Sequence, residues 1–417
     1  MTVSRLRLSR LALSLTLGAA LVPTVLAQTP AAFPTAEEAA RVNERTVGIV
    51  FSREALFVDL VEDLESELEV GGELRIVPML GKNHVQSVYD LLYLKGVDLA
   101  LARADALEYV RSVGGMPSVQ RLTHNVARIS DEKIVVLAGE KYESMADLDG
   151  ERVAVGTAGS GESVTAALVF ERLGIEPETV TLDSAAALEK VRSGELAAMV
   201  HLLRAPGAFP DSEPLEGDTP EPVDAAGLRV LELPPGEELS SLYRPTTLDA
   251  KDLPGLLPPG TTLLSSSVDV NLLAYAWRRP NARSRKLEKF LVALVERLET
   301  LQGEEAYQPA WRAVSLTDET PSLYNSPTVA RALAERAATK QRLLDAEALA
   351  RRQAAEEKRR VAELEERRER TIERLGEELT ERDTAKMERL LDQLDTLLLE
   401  EGEGEAPTAA AAQPASD

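Results

Sequence analysis

The chain has 417 residues and is 44% hydrophobic, enough to bury a sizeable core in two or three domains, which excludes a wholly disordered protein. It contains no cysteine, so disulfides, zinc–thiolate and iron–sulfur centres, a thiol nucleophile and a lipidated N-terminal cysteine are excluded together. A formal charge of −23, from 47 Lys+Arg against 70 Asp+Glu, speaks against nucleic acid as a partner, because that association needs a basic stripe to release counterions from phosphates.

Arg5, Arg7 and Arg10 precede an apolar run from Leu11 to Leu26 that ends in Val25-Leu26-Ala27. The pattern predicts a secretory signal over residues 1–27, cleaved after Ala27, since the run is short for a bilayer span and contains Pro23. Removing those three arginines moves the charge from −23 to −26 and leaves an acidic protein in the periplasm. Residues 28–44 read as a linker.

From residue 45 short β-rich runs alternate with amphipathic helical ones. Strands are expected at Val47–Phe51, Leu74–Val77, Val97–Leu101, Ile134–Ala138, Val153–Gly156, Val180–Leu182 and Ala197–Val200. Helices are expected at Glu54–Leu68, Val85–Leu94, Ala104–Val113, Ser163–Leu173 and Ala185–Arg192. Such alternation predicts an α/β protein with parallel-rich sheets flanked by helices. Residues 204–222 hold five prolines and five acids and read as a surface loop. Residues 262–277 read as a long strand before a helix at Ser284–Gln302, and serve as a return crossover between two lobes. The expected division is 45–137 with 265–325 as the first lobe and 138–264 as the second, with hinge strands near 128–138 and 261–268.

The segment Met145–Ser163 runs from a strand through a Gly/Ser/Thr turn into a helix. Backbone amides at a helix front favour an anion, Thr157, Ser160 and Ser163 add hydroxyls, and Gly159 and Gly161 permit close approach. The same residues also suit a plain N-cap at Ser160, with Glu162 answering the helix dipole. The spacing matches neither common nucleotide loop.

Three stretches together resemble the solute-binding receptors of TAXI-type TRAP transporters: Asp90–Leu107, Met145–Ser163 and Tyr243–Ala276, with Pro309–Pro321 as a further similar piece. The resemblance covers roughly residues 45–325. It implies a two-lobed periplasmic-binding-protein-like fold that captures a small organic anion or amino acid, without catalysis or cofactor, and delivers it to TRAP permease membrane subunits. The chain departs from that pattern at Phe51-Ser52-Arg53-Glu54 and at Ala102-Arg103-Ala104-Asp105. Arg53 and Arg103 there either present guanidinium forks to a carboxylate or pair with Glu54 and Asp105. Asn83 either faces the cleft or caps a helix, and Tyr89, Tyr93 and Tyr243 supply either walls or core. No cysteine, clustered histidine or nucleophile motif suggests catalysis, and His84, His124 and His201 lack any metal-ligand spacing.

Thr328–Leu399 contains no proline, a single glycine at Gly376, and 16 basic against 17 acidic residues. This predicts a charged helical arm over 326–399. Its leucine, isoleucine and valine positions form a broken heptad that suits a helical hairpin or a coiled coil induced by a helical partner better than a long autonomous dimer, with one solvated helix as the plain alternative and self-association through 326–399 left open. Residues 400–417 are expected to be a disordered tail. Besides delivery of a solute, the arm raises the alternative of a scaffold or sensor module.

Overall fold

The computed structural model describes residues 35–52, 55–69, 71–209, 222–378 and 384–403. The signal-sequence reading, Arg53, most of the acidic loop and the last residues of the tail lie outside these. Among the described residues no helix is long and apolar enough to cross a membrane.

The chain opens with α1 (Ala36–Arg45), so much of the expected linker is helical. The cause is a capping box: Thr35 N–H donates to Glu38 Oε2 at 2.8 Å, and Glu38 N–H donates back to Thr35 Oγ1 at 3.2 Å. The first lobe follows as β1 (Thr46–Phe51), α2 (Ala55–Leu68), β2 (Arg75–Leu80), α3 (His84–Tyr93), β3 (Val97–Arg103), α4 (Ala104–Ser112), the single turn α5 (Val119–Leu122) and β4 (Thr123–Gly139). The second contains β5 (Arg152–Ala154), α6 (Gly161–Leu173), β6 (Glu178–Val180), α7 (Ser184–Arg192), β7 (Ala198–Leu203), β8 (Leu228–Leu231) and β9 (Arg244–Asp249). The chain returns through β10 (Thr262–Tyr275) and α8 (Ala282–Gly303), then leaves as α9 (Pro327–Glu378) and α10 (Thr384–Glu403).

The strands form one mixed sheet in the order β2-β1-β3-β10-β4-β7-β5-β6, with β8 beside β4 and β9 beside β10. Within each lobe the outer strands are parallel, whereas β10 and β4 run antiparallel to their neighbours and to each other. These two strands pass through both halves. β4 takes β7 as a partner from Lys133 onward, and β10 passes from β9 at residues 262–267 to β3 at 270–274. The two-lobed α/β architecture expected from the sequence is the one observed, with its lobes joined by two unbroken strands.

Each lobe buries apolar side chains on both faces of its sheet, as parallel-rich strands require. In the first lobe α2 and α8 cover one face around Phe57, Phe290 and Trp311, while Val88, Leu107 and Val110 of α3 and α4 cover the other. In the second, α6 and α7 do the same through Leu168 and Leu188. Every residue of β3 is buried. Its one carboxylate, Asp98, is paired with Lys286 Nζ at 2.6 Å and receives Gly48 N–H at 3.1 Å, so the charge is compensated rather than stranded.

The arm is rooted in the first lobe. Val329 and Ala332 of α9 belong to its core, and Arg336 donates to Val295 O at 2.6 Å and meets Glu299 at 2.7 Å. α10 turns back on α9, with Arg368 Nε 3.1 Å from Asp395 Oδ1. The helix reaches Glu403, so residues 400–403 are helical where a tail was expected.

Candidate functional site

The seam between the lobes runs along α4 on one side and α6 on the other. α6 follows a turn whose backbone the sequence dictates. Gly156 sits at φ +72, and a Cβ there would lie 2.6 Å from Ser160 Oγ, so a side chain is excluded on two counts. Ser160 is the N-cap: its Oγ accepts Ser163 N–H at 3.3 Å, and Ser163 Oγ donates to Ser160 O at 2.9 Å. One of the amides expected to greet an anion, Ser163 N–H, is thus satisfied within the helix front itself.

Arg103, at the end of β3, is completely buried. Its Nε donates to Asp105 Oδ1 at 3.1 Å, its Nη1 to Glu132 Oε2 at 3.1 Å and its Nη2 to Gly161 O at 2.8 Å. One guanidinium therefore ties the first lobe, the shared strand β4 and the front of α6 together. Burial works against its charge, but the carboxylates of Asp105, Glu132 and Glu162 outweigh that and raise its pKa. Gly161 is required by proximity, since a Cβ would lie 2.1 Å from Arg103 Nη1.

The contact extends on both sides of this fork. Thr165 Oγ1 of α6 donates to Asp105 Oδ2 at 2.5 Å. Farther along, Arg172 of α6 donates to Glu108 Oε1 of α4 at 3.0 Å, and the same carboxylate receives Arg111 at 2.6 Å. Toward solvent, Arg204 at the end of β7 lies 3.3 Å from Glu132 and 4.0 Å from Glu162. Burial raises the Glu162 pKa, but its own backbone N–H, Arg204, His201 and Arg103 together hold it below the ordinary carboxylate value. His201, beneath them on β7, is 3.2 Å from Ser184 Oγ and stacks edge-on to Phe209. Burial, helped by Arg204 and opposed by Glu162, pushes its pKa down to about 4.

The structure brings most of the sequence candidates together. Asn83 caps α3 by accepting Gln86 N–H at 2.8 Å, and its Nδ2 would lie 3.4 Å from a Cβ on Gly159 across the seam. Thr157 and Gly159 are exposed, whereas Ser160, Gly161, Ser163 and Asn83 are half-buried. Tyr243 is 1% exposed within the second-lobe core, beside the Arg103–Asp105 pair, and its hydroxyl has no hydrogen-bond partner. Burial raises its pKa well above the usual phenol value. Glu132 and Arg204 went unmarked in the sequence. The available signal was the polar run Ser130–Lys133 interrupting an otherwise apolar strand. The 850 Å³ groove on the second lobe, lined by Met145, Leu173, Ile175 and Leu263, includes none of the candidates.

No family model matches the chain, and no curated protein does. Among solved structures, the chain is similar to XAC2383 from Xanthomonas citri bound to ATP, with 13% identity over 72% of this chain and 98% of that one, at a TM-score of 0.41. It is similar to PhnD1 from Prochlorococcus marinus in complex with methylphosphonate, with 12% identity over 65% and 88% of the two chains, at 0.39. It is also similar to the periplasmic aliphatic sulphonate binding protein SsuA from Escherichia coli, with 16% identity over 70% and 78%, at 0.35.

Proposed function

We propose that the protein is an extracytoplasmic receptor that closes two lobes on a small, carboxylate-bearing solute and hands it to a TRAP-type permease. The supporting observation is the apposition across the seam of Asn83 at the front of α3 and the Thr157–Gly159 turn leading into α6. Two helix fronts converging on one rim concentrate positive dipole ends where a carboxylate would sit. Asn83, Thr157, Gly159 and Ser160 form that rim, and Arg53 stands two residues after β1 in sequence. Arg103 acts behind the rim as the fastening between lobes, with Gly161 and Ser163 shaping the helix front and Tyr243 backing the fork. A thermal-shift screen of small carboxylates and amino acids against the mature protein tests the reading. A solute at about a hundred times its Kd adds about 2.7 kcal/mol of stability. A broad panel without a single stabilising member would reject it.

A second reading is supported by the same Arg103. Each of its three nitrogens bonds a group of the chain itself, as befits a module held shut without a guest that works through its helical arm. Pull-downs with the full chain and with one ending at Ser326 separate the two. Partners lost with the arm favour the scaffold, whereas solute binding retained without the arm favours the receptor.

A further inference from the structure

Beyond Arg336, α9 leaves the first lobe, and every residue from Ala337 to Glu363 is exposed. That is about 40 Å of helix with no cover from the described residues. Leu343, Leu344, Leu349 and Val361 are between 50% and 62% exposed on it. An isolated stretch of this kind gains little from packing, and helices in water owe most of their stability to an apolar face laid on something.

The existing hairpin shows what that face fits. Arg368 and Asp395 stand about equally far from the turn joining α9 to α10, so the two helices run antiparallel. Leu364, Thr371 and Leu375 of α9 are half-buried where α10 folds back, as are Met387, Leu390, Leu391 and Leu394 of α10. Continued through Arg368–Asp395, the register brings the end of α10 level with about residue 360, about one turn into the exposed stretch. Counting back from Leu364 by alternating threes and fours reaches Val361, Glu357, Ala354, Ala350, Glu347 and Leu343. The seam that α10 covers thus continues along α9 with small or apolar residues at four positions and glutamates at two.

Charge distinguishes the two parts. Residues 340–360 hold seven basic residues and four acidic ones, a balance of +3 in a chain of −23. α10 holds two basic residues and six acidic ones, a balance of −4. We infer that α10 of a second copy packs on residues 340–362 of α9, and reciprocally, so that two arms lie antiparallel in one bundle, each level of which holds both α9 helices and one α10. The occupant is the element whose face and charge already match this helix one heptad farther on.

Sedimentation of the mature full-length protein tests the pairing. The expected result is a dimer whose dissociation constant rises at least about tenfold between about 0.05 and about 0.5 M salt, where screening shortens to a few ångströms. Arg351→Glu with Arg352→Glu should give monomers, as should Glu388→Lys with Asp392→Lys. All four side chains are exposed, and unchanged circular dichroism would show that the fold is kept. Mixing the two variants should restore the dimer, because each arm then meets its complement at both contacts. A wild-type monomer at every concentration, a dimer indifferent to both reversals, or a mixture that stays monomeric would overturn the inference. So would a monomer that binds anionic phospholipid vesicles through Arg351 and Arg352, which would assign this face to a membrane.

Discussion

Arg103 is the residue on which the seam turns. Arg103→Met leaves Asp105 buried without its cation and Glu132 with Arg204 alone, and should destabilise the protein by about 3–5 kcal/mol in urea unfolding. Scattering should show the lobes moving apart. Gly161→Ala keeps an ordinary backbone but drives a methyl into the guanidinium, for a loss of about 1–3 kcal/mol. In the Arg103→Met background that loss should largely vanish, and such coupling in a double-mutant cycle would tie the two lobes through this pair. An additive result would refute the direct contact. Ser160→Ala removes a cap at about 1 kcal/mol whether or not a solute binds, so its effect on ligand affinity must be read after that correction. At this scale the sequence marked Arg103, Asn83 and Ser160, each with two possible roles. It left open whether each turns outward or inward, because a guanidinium beside an aspartate looks the same in a rim and in a buried fork. Asp105 did pair with Arg103, whereas Glu132, 29 residues away, was brought in only by the path of β4.

Among elements, those with strong periodicity were the legible ones: β1, α2, α3, β3, α6 and α7 lie close to where the pattern set them. β4 was longer than its apolar part suggested. Ser130–Lys133 breaks the alternation because Glu132 there serves the seam rather than a core. β9 was missed because Pro245 and two threonines disguise a strand that needs only one paired edge, against β10. α1 escaped notice because its apolar face is made only of alanines and one valine within a polar stretch. The arm's helical character was plain in its composition, but its point of attachment was not. Val329→Asp would place an unpaired carboxylate in the first-lobe core and should cost roughly 3 kcal/mol or more. Hydrogen exchange should then show the amides of the first turns of α9 losing protection. Unchanged protection there would mean that the root does not depend on this packing.

For the whole molecule, pH is the telling variable. His201 titrates near 6.5 in an unfolded chain and at about 4 in the fold. Between those values the unfolded state binds the proton first, so stability rises with pH across the window and is lost as pH falls toward 4. The share due to His201 is on the order of 2–3 kcal/mol between neutral pH and the foot of that window. His201→Gln should flatten the corresponding slope of urea midpoints, and a slope equal to wild type would place the titration elsewhere. Two lobes and two crossing strands were readable from the order of elements, whereas the closed seam was not, since no local pattern records which charges will face one another across a gap.

The long helix is fixed to the first lobe, chiefly to α8, at its first three turns. Twisting of the shared strands would swing the second lobe while this boom kept its bearing, holding its far end about 60 Å out from the root. Whatever is tethered at the tip rides with one half of the clamp and is indifferent to the stroke of the other.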